Sequence, residues 1–585
     1  MDSSQRFNLV KDYFQSGWAF LIPYLLLYIS FWIFGLPVSL LTKISYFLHG
    51  LHALALFYLI RRRKLRFDSK NIAFWSTLAV IFFFTGSSLE FPSDPWTHFR
   101  RIFLWQTIEL IEECSFADKF AYFLGHSLIG WTEPIYRRLA IGLYSSACLL
   151  LLACQIYKLS KTLGLNEKWA RISILSSILF LGYDNIGFFL YHGISSSQIS
   201  LLASFAAIRL TLKFAASPNF STFVFLITAL LLSGLNHIQG VLIWVMAGFG
   251  VLFTAIASKF GWKLSLTLLI SLLLSAGLCS KNIIATFIGS SPILIYFDPN
   301  TWILPWGGIN PFGQDHLFRT LGILGLVNLI AGLWIIKKNS KLGLITVSSP
   351  IILVLSPVGI LIIYILLENS HPQNFHRLLY STLPLLATIY AIQITCQKYR
   401  INEALSIFTA VIILVFLSIF PHSPIFGKGW AFFKYPDHLH RLLPLDKTAQ
   451  WLFKHIKISK NEYFLSDVAT EFIVSTLLNA PVTSGLERRN PQSLSFRVKE
   501  IGGIKEIVKR REIAGILALT QQPQIDPSGS PLGTVSGHWD YQTVQKNLFF
   551  DPLLEKQLNE LVKYGWIKTK VSPWYFLYIR PEKIK

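Results

Sequence analysis

The sequence predicts an α-helical polytopic membrane protein with a soluble α/β domain at its C-terminal end. Hydrophobic residues make up 52% of the 585 residues, and the mean hydropathy is +0.49. Charged residues make up only 14%, whereas ordinary soluble domains carry about 25%. These figures exclude a soluble globular protein and a disordered one. Because residues 421–585 hold 23 of the 53 Lys and Arg and 15 of the 31 Asp and Glu, we expect a membrane domain over residues 1–420 and a soluble domain over residues 421–585.

Membrane spans need about 20 mostly apolar residues, and about thirteen segments meet that criterion. They are residues 17–36, 38–60, 71–88, 139–157, 169–190, 197–215, 221–236, 240–258, 263–283, 320–336, 343–367, 378–396 and 403–420. Clusters of Lys and Arg follow every second segment, and such clusters concentrate in cytoplasmic loops. The N-terminus is therefore predicted inside the cell and residues 421–585 outside it, in the inner or plasma membrane. The same rule explains the net charge of +22 without nucleic acid as a partner.

Polar and aromatic residues that are capable of chemistry gather on the extracytoplasmic side. The loops on this side are residues 88–138, 191–196, 236–240, 284–319 and 368–377. A transporter is expected to place such groups near the bilayer midplane, often at broken helices in two repeated halves. The chain shows no clear internal repeat, so the pattern favours a site at the outer surface of the membrane.

The first outer loop, residues 88–138, carries an acidic pair. Pro92 and Pro95 keep Glu90 and Asp94 out of a regular helix and place them in a turn after the third span. An amphipathic pattern begins after Pro95 and predicts a helix in the outer interface that roofs a cavity. Asp94 has two interpretations, which are the N-cap of this helix and a catalytic carboxylate. Glu90 is either a solvated loop residue or the second member of the site.

A resemblance favours the catalytic interpretation. The long first outer loop with its acidic motif, the many spans and the soluble outer domain resemble the GT-C class of polyprenyl-phosphate-sugar-dependent glycosyltransferases. The segment Asp94-Pro95-Trp96-Thr97-His98-Phe99-Arg100 is similar to the Asp-Pro-Trp-Tyr-x-x-Arg pattern of oligosaccharyltransferase catalytic subunits. The resemblance implies that Asp94, and second Glu90, acts as general base or metal-site residue. The Trp-Trp-Asp-Tyr-Gly motif of those subunits is missing from the tail, where the nearest string is Gly537-His538-Trp539-Asp540-Tyr541, so transfer to Asn is not implied.

Donor-phosphate binding is predicted for three outer residues. Arg377 begins a span from the outer side and resembles the Arg-Tyr with a downstream Pro of many GT-C enzymes, with Tyr380 and Pro384 in place. Its alternative role is an interfacial anchor. Lys281 is a second outer cation that alternatively snorkels to the interface. His237 lies in a short outer turn, where it either contacts a diphosphate or is a satisfied polar group.

Sugar or acceptor contacts are predicted for a second set of residues: His98, Arg100, Tyr191, His192, Gln239, Trp302 and Trp306. The two tryptophans offer an apolar surface for a sugar face, or they are belt aromatics at the interface. The histidines lack the spacing of a metal site. If a divalent ion such as Mg²⁺ or Mn²⁺ takes part, Asp94 and Glu90 are its predicted ligands.

The predicted function is transfer of a sugar, with inversion, from a polyprenyl-phosphate donor to a lipid, glycan or protein acceptor on the extracytoplasmic face. The sugar is a hexose or a pentose. The alternatives are a transporter or flippase of a lipid-linked sugar and an O-antigen-type polymerase or ligase.

The tail is predicted to alternate strands and helices as an α/β layer. Strands are expected at residues 463–465, 481–483, 515–519 and 574–579. Helices are expected between the first two strands and over residues 494–511. The tail shows no Gly-rich phosphate fingerprint and no nucleophile elbow, so we expect it to stabilise the protein or to recognise the acceptor.

Overall fold

The computed structural model describes residues 18–61, 69–88, 94–103, 116–179, 196–236, 238–271, 322–353, 385–418, 447–459, 462–466, 493–521 and 550–585. The helices of the membrane domain in these ranges are numbered in chain order: α1 Ile22–Phe34, α2 Val38–Arg61, α3 Ser69–Ser88, α4 Asp94–Phe103, α5 Phe116–Ile129, α6 Arg137–Thr162, α7 Glu167–Leu179, α8 Ser196–Ala216, α9 Phe220–Asn236, α10 Ile238–Phe260, α11 Trp262–Ser271, α12 Gly322–Ile335, α13 Ser340–Leu353, α14 Leu386–Lys398 and α15 Glu403–Ser418. Each apolar segment of the sequence overlaps one of these helices.

Four helices of the described part are long and apolar enough to cross a membrane. They cover Ser39–Tyr58, Pro134–Thr162, Gln198–Ala216 and Ile243–Phe260. The described part also contains shorter apolar helices, among them Phe220–Asn236 and Leu324–Ile335. The chain is therefore a mainly helical membrane protein, as the sequence predicts, while the number of spans stays a prediction.

Helix α8 lies at the centre of the membrane domain, where it packs against α5, α6, α9 and α10. Its middle turns are built from small residues, because Ala203, Ala206 and Ala207 are all fully buried. Small side chains allow the backbones of neighbouring helices to approach closely. The backbones of α10 and α13 also approach each other closely. A Cβ atom on Gly250 would lie 2.6 Å from Cα of Ile345, so only glycine allows this contact.

Helix α5 lies inside this bundle, although it belongs to the predicted outer loop. Residues 120–127 are buried without interruption. The helix packs against α1, α2, α4, α6, α8 and α9. Helix α4 lies on α5, so the first outer loop forms a packed helical pair in its described residues.

The tail contains a four-stranded sheet. Its strands are β1 Tyr463–Leu465, β2 Ile513–Leu519, β3 Ile567–Lys570 and β4 Tyr575–Ile579. The strand order is β1-β2-β4-β3, with β1 parallel to β2 and the other two pairings antiparallel. In its described residues, four helices accompany the sheet: α16 over residues 447–455, α17 Leu494–Ile501, α18 Ile504–Lys509 and α19 Pro552–Lys563.

Helices cover both faces of this sheet, because alternate residues of β2 belong to different cores. Ile516 and Ala518 share a core with Leu558 of α19. Leu517 and Leu519 belong to the core that contains Leu452 of α16. This helix is tied to the sheet by Thr448, whose hydroxyl donates to Ser572 Oγ at 2.8 Å.

The tail differs from the sequence prediction in one helix and in three elements that were not predicted. The helix expected over residues 494–511 is broken at Gly502 and Gly503, whose φ angles of +102° and +84° are favourable for glycine. Strand β3 and helices α16 and α19 were not predicted. The strand expected at residues 481–483 lies outside the described residues, as does the helical segment expected between it and β1.

Candidate functional site

The helical pair α4–α5 holds the acidic motif singled out in the sequence. The sequence predicts Asp94 in a turn outside a regular helix, but α4 begins at Asp94 itself. Pro95 is tolerated there, because an N–H group in the first turn has no partner within the helix. The helix dipole favours a carboxylate in this first turn. His98 lies four residues after Asp94, and Arg101 lies three residues after His98. These spacings place all three positions on one face of α4. Phe99, 0% exposed, lies on the opposite face and packs in the core. The amphipathic helix predicted after Pro95 therefore forms.

The side chains of His98 and Arg101 meet at Tyr122 of α5, which is only 1% exposed. His98 Nδ1 lies 2.6 Å from the Tyr122 hydroxyl oxygen, and Arg101 Nη1 donates to the same oxygen at 3.1 Å. The His98 ring stacks on the Tyr122 ring at a centroid distance of 5.7 Å. The Arg101 guanidinium lies 5.5 Å from the same centroid.

The direction of one of these hydrogen bonds is fixed. Arg101 can only donate, so the Tyr122 oxygen accepts from it. The direction of the bond between Tyr122 and His98 depends on the histidine tautomer: Tyr122 donates to Nδ1 when His98 carries its proton on Nε2, and accepts from Nδ1 otherwise. In both cases the contact and the ring stacking hold the His98 ring in one orientation. The arrangement positions a histidine one turn after Asp94.

The contact between the two helices is very close at Gly125 of α5. A Cβ atom at this position would lie 2.6 Å from Cδ1 of Ile102 and 2.8 Å from its Cγ1, so glycine allows α4 to approach. One residue later, His126 Nδ1 lies 2.9 Å from the Ile102 carbonyl oxygen. Burial lowers the pKa of His126, and the nearby Arg137 also lowers it, while the hydrogen bond to Ile102 acts in the opposite direction. A neutral His126 donates its Nδ1 proton to Ile102.

A buried arginine supports the same region from α6. Arg137 is 2% exposed; its guanidinium lies 4.4 Å from the Phe103 ring centroid, and its Nε donates to the Thr132 carbonyl at 3.2 Å. This residue stands at the predicted outer start of a span, against the usual distribution of basic residues. It links α6 to the last turn of α4.

Helices α1 and α2 also contact α5. His49 Nε2 lies 2.9 Å from the Ser127 carbonyl oxygen, and His49 Nδ1 lies 2.5 Å from the Tyr24 hydroxyl. The Tyr24 ring stacks on His52 at a centroid distance of 5.6 Å. A chain of hydrogen bonds therefore runs from α1 through α2 to the end of α5.

Three serine hydroxyls converge beside the predicted outer turn of residues 236–240. Ser200 and Ser204 of α8 contact Ser233 of α9, at 2.8 Å to its carbonyl oxygen and 2.9 Å to its hydroxyl, respectively. All three hydroxyls occupy the space that a Cβ atom on Gly240 would need. Because Gly240 has no Cβ atom, the first turn of α10 can pack directly against α8 and α9.

The described residues contain only part of the predicted site. His98 and Arg100 are half-buried on α4, and Asp94 and Gln239 lie in the first turns of α4 and α10. The other predicted residues lie outside the described ranges: Glu90, Tyr191, His192, His237, Lys281, Trp302, Trp306 and Arg377. In the described ranges, no group of three His, Cys, Asp or Glu could hold a metal ion, so the acidic metal site stays a prediction.

Tyr122, Arg101, His126 and Arg137 were not predicted as site residues. Tyr122 and His126 are spaced by four residues in an otherwise apolar segment, which places two polar groups on one face of a buried helix. That spacing was a usable signal. The sequence could not show that this face meets His98 and Arg101.

No protein-family model matches the chain, and no curated protein is significantly similar to it. Among solved structures, the chain is similar to the archaeal oligosaccharyltransferase AglB from Archaeoglobus fulgidus, in complex with an inhibitory peptide and a dolichol-phosphate. The identity is 11% and the TM-score 0.37, over 77% of this chain and 69% of that one. A likeness at this level does not establish a common fold.

Proposed function

We propose that the chain is a GT-C-type membrane glycosyltransferase, which moves a sugar from a polyprenyl-phosphate donor to an acceptor at the extracytoplasmic face. The single observation that carries the proposal is the position of the motif from Asp94 to Arg100. Its acidic residue lies in the first turn of a short amphipathic helix after an apolar helix. The polar face of α4 then presents His98 and Arg101, which Tyr122 holds in place.

Asp94 is the proposed general base. The acceptor hydroxyl gives its proton to the carboxylate while its oxygen attacks C1 of the donor sugar. The bond between C1 and the phosphate oxygen breaks, and polyprenyl phosphate leaves. Attack on the face opposite the phosphate inverts the configuration at C1.

Cationic groups stabilise the leaving phosphate in this proposal. Arg377 is the first of these groups, because a guanidinium can bind a phosphate through two parallel hydrogen bonds. Lys281 and His237 complete the proposed phosphate contacts. The proposed contacts for sugar or acceptor are His98, Arg100, Gln239, Tyr191, His192, Trp302 and Trp306. Mg²⁺ or Mn²⁺ at Glu90 and Asp94 is a further proposal, and the step above does not depend on it.

The proposal is tested with the purified protein in nanodiscs that contain polyprenyl-phosphate sugars of several kinds. We expect release of polyprenyl phosphate that depends on an added acceptor, together with a glycosylated product. If no defined acceptor supports the reaction, the assay is repeated with an extract of the native membrane as the source of acceptor.

The chief rival, a transporter or flippase of a lipid-linked sugar, moves its substrate without changing it. Its signature is intact donor that crosses the membrane of a proteoliposome, with no free polyprenyl phosphate. That result would overturn the enzymatic proposal. A product that consists of a lengthened polyprenyl-linked glycan would instead indicate a polymerase.

A further inference from the structure

The C-terminal end of α5 is capped in part from a different helix. The last four carbonyl groups of an α-helix have no partner within the helix. In α5, three of them accept at 2.8, 2.9 and 3.0 Å from the turn that follows the helix: the carbonyls of His126, Leu128 and Ile129, from Gly130, Trp131 and Thr132 respectively. The fourth carbonyl, that of Ser127, accepts at 2.9 Å from Nε2 of His49 on α2. The cap of α5 therefore includes a bond to a neighbouring helix.

Tyr24 of α1 holds the other side of the His49 ring. Its hydroxyl oxygen lies 2.5 Å from His49 Nδ1, and the centroids of the two rings are 5.2 Å apart. Because a carbonyl oxygen only accepts, the contact with Ser127 requires a proton on Nε2. A neutral His49 then accepts from the Tyr24 hydroxyl at Nδ1. Tyr24 is 2% exposed and Ser127 is 0% exposed, so loss of His49 would take a partner from two buried polar groups, which is costly.

The capped end of α5 lies close to the residue that holds the polar face of α4. Ser127 follows Tyr122 by five residues, which is about 7.5 Å along the helix axis. Tyr122 contacts both His98 and Arg101. Between these two positions of α5, a Cβ atom on Gly125 would lie 2.6 Å from Cδ1 of Ile102, so the two helices are in direct contact. A displacement of α5 would therefore displace α4 and its polar side chains.

Trp131 provides a cap of a different kind. Its indole N–H group donates to the Leu128 carbonyl within the same segment of the chain, and the residue is 68% exposed. Loss of this bond removes no contact between α5 and α2. A comparison of His49 with Trp131 therefore separates the bond between two helices from the capping of one helix.

We propose that His49 is a positioning residue of the candidate site. It fixes the C-terminal end of α5 and, through Tyr122, the orientation of His98 and Arg101 on α4. Displacement of a reacting group by about 1 Å can lower the rate of an enzyme by about two orders of magnitude. The effect on catalysis rests on the proposed function, whereas the effect on the His98 side chain can be measured without it.

The first measurement is the transfer assay on the full chain in nanodiscs. We expect His49→Leu to lower kcat by about tenfold and to leave KM for the donor within about twofold, because it displaces His98 without removing a contact to the donor. His49→Gln keeps an N–H group for Ser127 and an oxygen atom for Tyr24, so it should restore most of kcat. Tyr24→Phe, which removes only a hydroxyl group, should change kcat in the same direction as His49→Leu and replaces that variant if it does not fold.

The second measurement does not need activity. Diethyl pyrocarbonate acylates an accessible neutral imidazole, and mass spectrometry of peptides gives the labelling rate of each histidine. We expect His98 to be labelled several-fold faster in His49→Leu than in the wild type, because its contact with Tyr122 is weakened. His455 in the tail is the internal reference and should be labelled at the same rate in both proteins.

Two controls distinguish positioning from a general loss of stability. Trp131→Phe should show wild-type kcat and wild-type labelling of His98. In the Tyr122→Phe background, His49→Leu should have little further effect on kcat, because the residue through which it acts is already changed.

The proposal is overturned by a folded His49→Leu variant, or in its place Tyr24→Phe, with wild-type kcat and wild-type labelling of His98. Equal losses in Trp131→Phe, or additive effects of His49→Leu and Tyr122→Phe, would also overturn it. If the wild type transfers no sugar but the labelling of His98 changes as expected, the proposed function fails and the positioning role of His49 stands.

Discussion

Tyr122 and Tyr144 are two buried tyrosines that differ in what their hydroxyl groups meet. The Tyr122 hydroxyl contacts both Arg101 and His98. The Tyr144 hydroxyl is buried in α6 with no hydrogen-bond partner among the residues that the structure describes. The Tyr122 hydroxyl therefore forms hydrogen bonds with two polar side chains. The Tyr144 hydroxyl loses its hydrogen bonds to water on burial and is not compensated for them.

We expect Tyr122→Phe to destabilise the protein by about 1–3 kcal/mol, because Arg101 and His98 lose a buried partner. Transfer activity should fall as well, since His98 is no longer held in one orientation. Tyr144→Phe is the matched control and should be neutral or slightly stabilising. Thermal unfolding in detergent and the transfer assay measure both effects. Equal losses in the two variants would contradict the interpretation of the α4–α5 contact.

At Asp94, the general-base role and the capping role predict different outcomes for one substitution. Asparagine keeps the size of the side chain and caps a helix about as well as aspartate, but it cannot take a proton. We expect Asp94→Asn to lower turnover by about 10² to 10⁴ while the protein still folds. Turnover is measured at matched folded yield. A variant with wild-type turnover would show that Asp94 is only structural.

Glu90→Ala is the companion test of the acidic pair. It should weaken activity less than Asp94→Asn unless both carboxylates bind one divalent ion. In that case EDTA should inhibit the wild type, and Mg²⁺ or Mn²⁺ should restore activity. Turnover that is insensitive to EDTA would argue against the shared ion.

Gly240 and Gly248 lie on the same helix, α10, in different surroundings. A Cβ atom on Gly240 would clash with the hydroxyls of Ser200, Ser204 and Ser233, whereas one on Gly248 would meet nothing within 4 Å. We expect Gly240→Ala to destabilise the protein by about 1–3 kcal/mol, as overpacking does, and Gly248→Ala to be neutral. The thermal unfolding midpoints of the two variants test this difference. A Gly240→Ala midpoint equal to that of the wild type would contradict the close packing of Gly240 against the three serine hydroxyls.

At the scale of elements, the close approach of α4 to α5 depends on a glycine facing an isoleucine. Gly125→Ala should push α4 outward, because the new methyl group would lie 2.6 Å from Ile102 Cδ1. Adding Ile102→Val removes that carbon atom and should recover part of the loss, so the double variant should cost less than the sum of the single variants. Gly50→Ala in α2, with open space around it, is the control. Additive costs would show that the two positions are not coupled.

At the scale of the whole molecule, the arrangement across the membrane follows from the basic clusters. Reporter fusions at Arg63 and Lys585 should report opposite sides of the membrane, with Arg63 cytoplasmic. The predicted odd number of spans requires this result. The same side for both reporters would overturn the predicted topology, and a cytoplasmic Lys585 would remove residues 421–585 from the extracytoplasmic face.

The sequence alone determined the class of the protein and the nature of most elements. Apolar segments of sufficient length can only be stable in a membrane as helices, which is why the hydropathy pattern located them. The amphipathic pattern after Pro95 located α4, and the apolar runs of the tail located β1, β2 and β4. The polar strand β3, with the sequence Ile-Lys-Thr-Lys, lies at the edge of the sheet and has no such pattern.

Only the tertiary structure decided which faces meet. Hydrophobic periodicity shows which face of a helix avoids water, but in a membrane both lipid and protein can cover that face. The sequence therefore did not show that α5 is enclosed by other helices, or that Tyr122 meets His98 and Arg101 from the neighbouring helix.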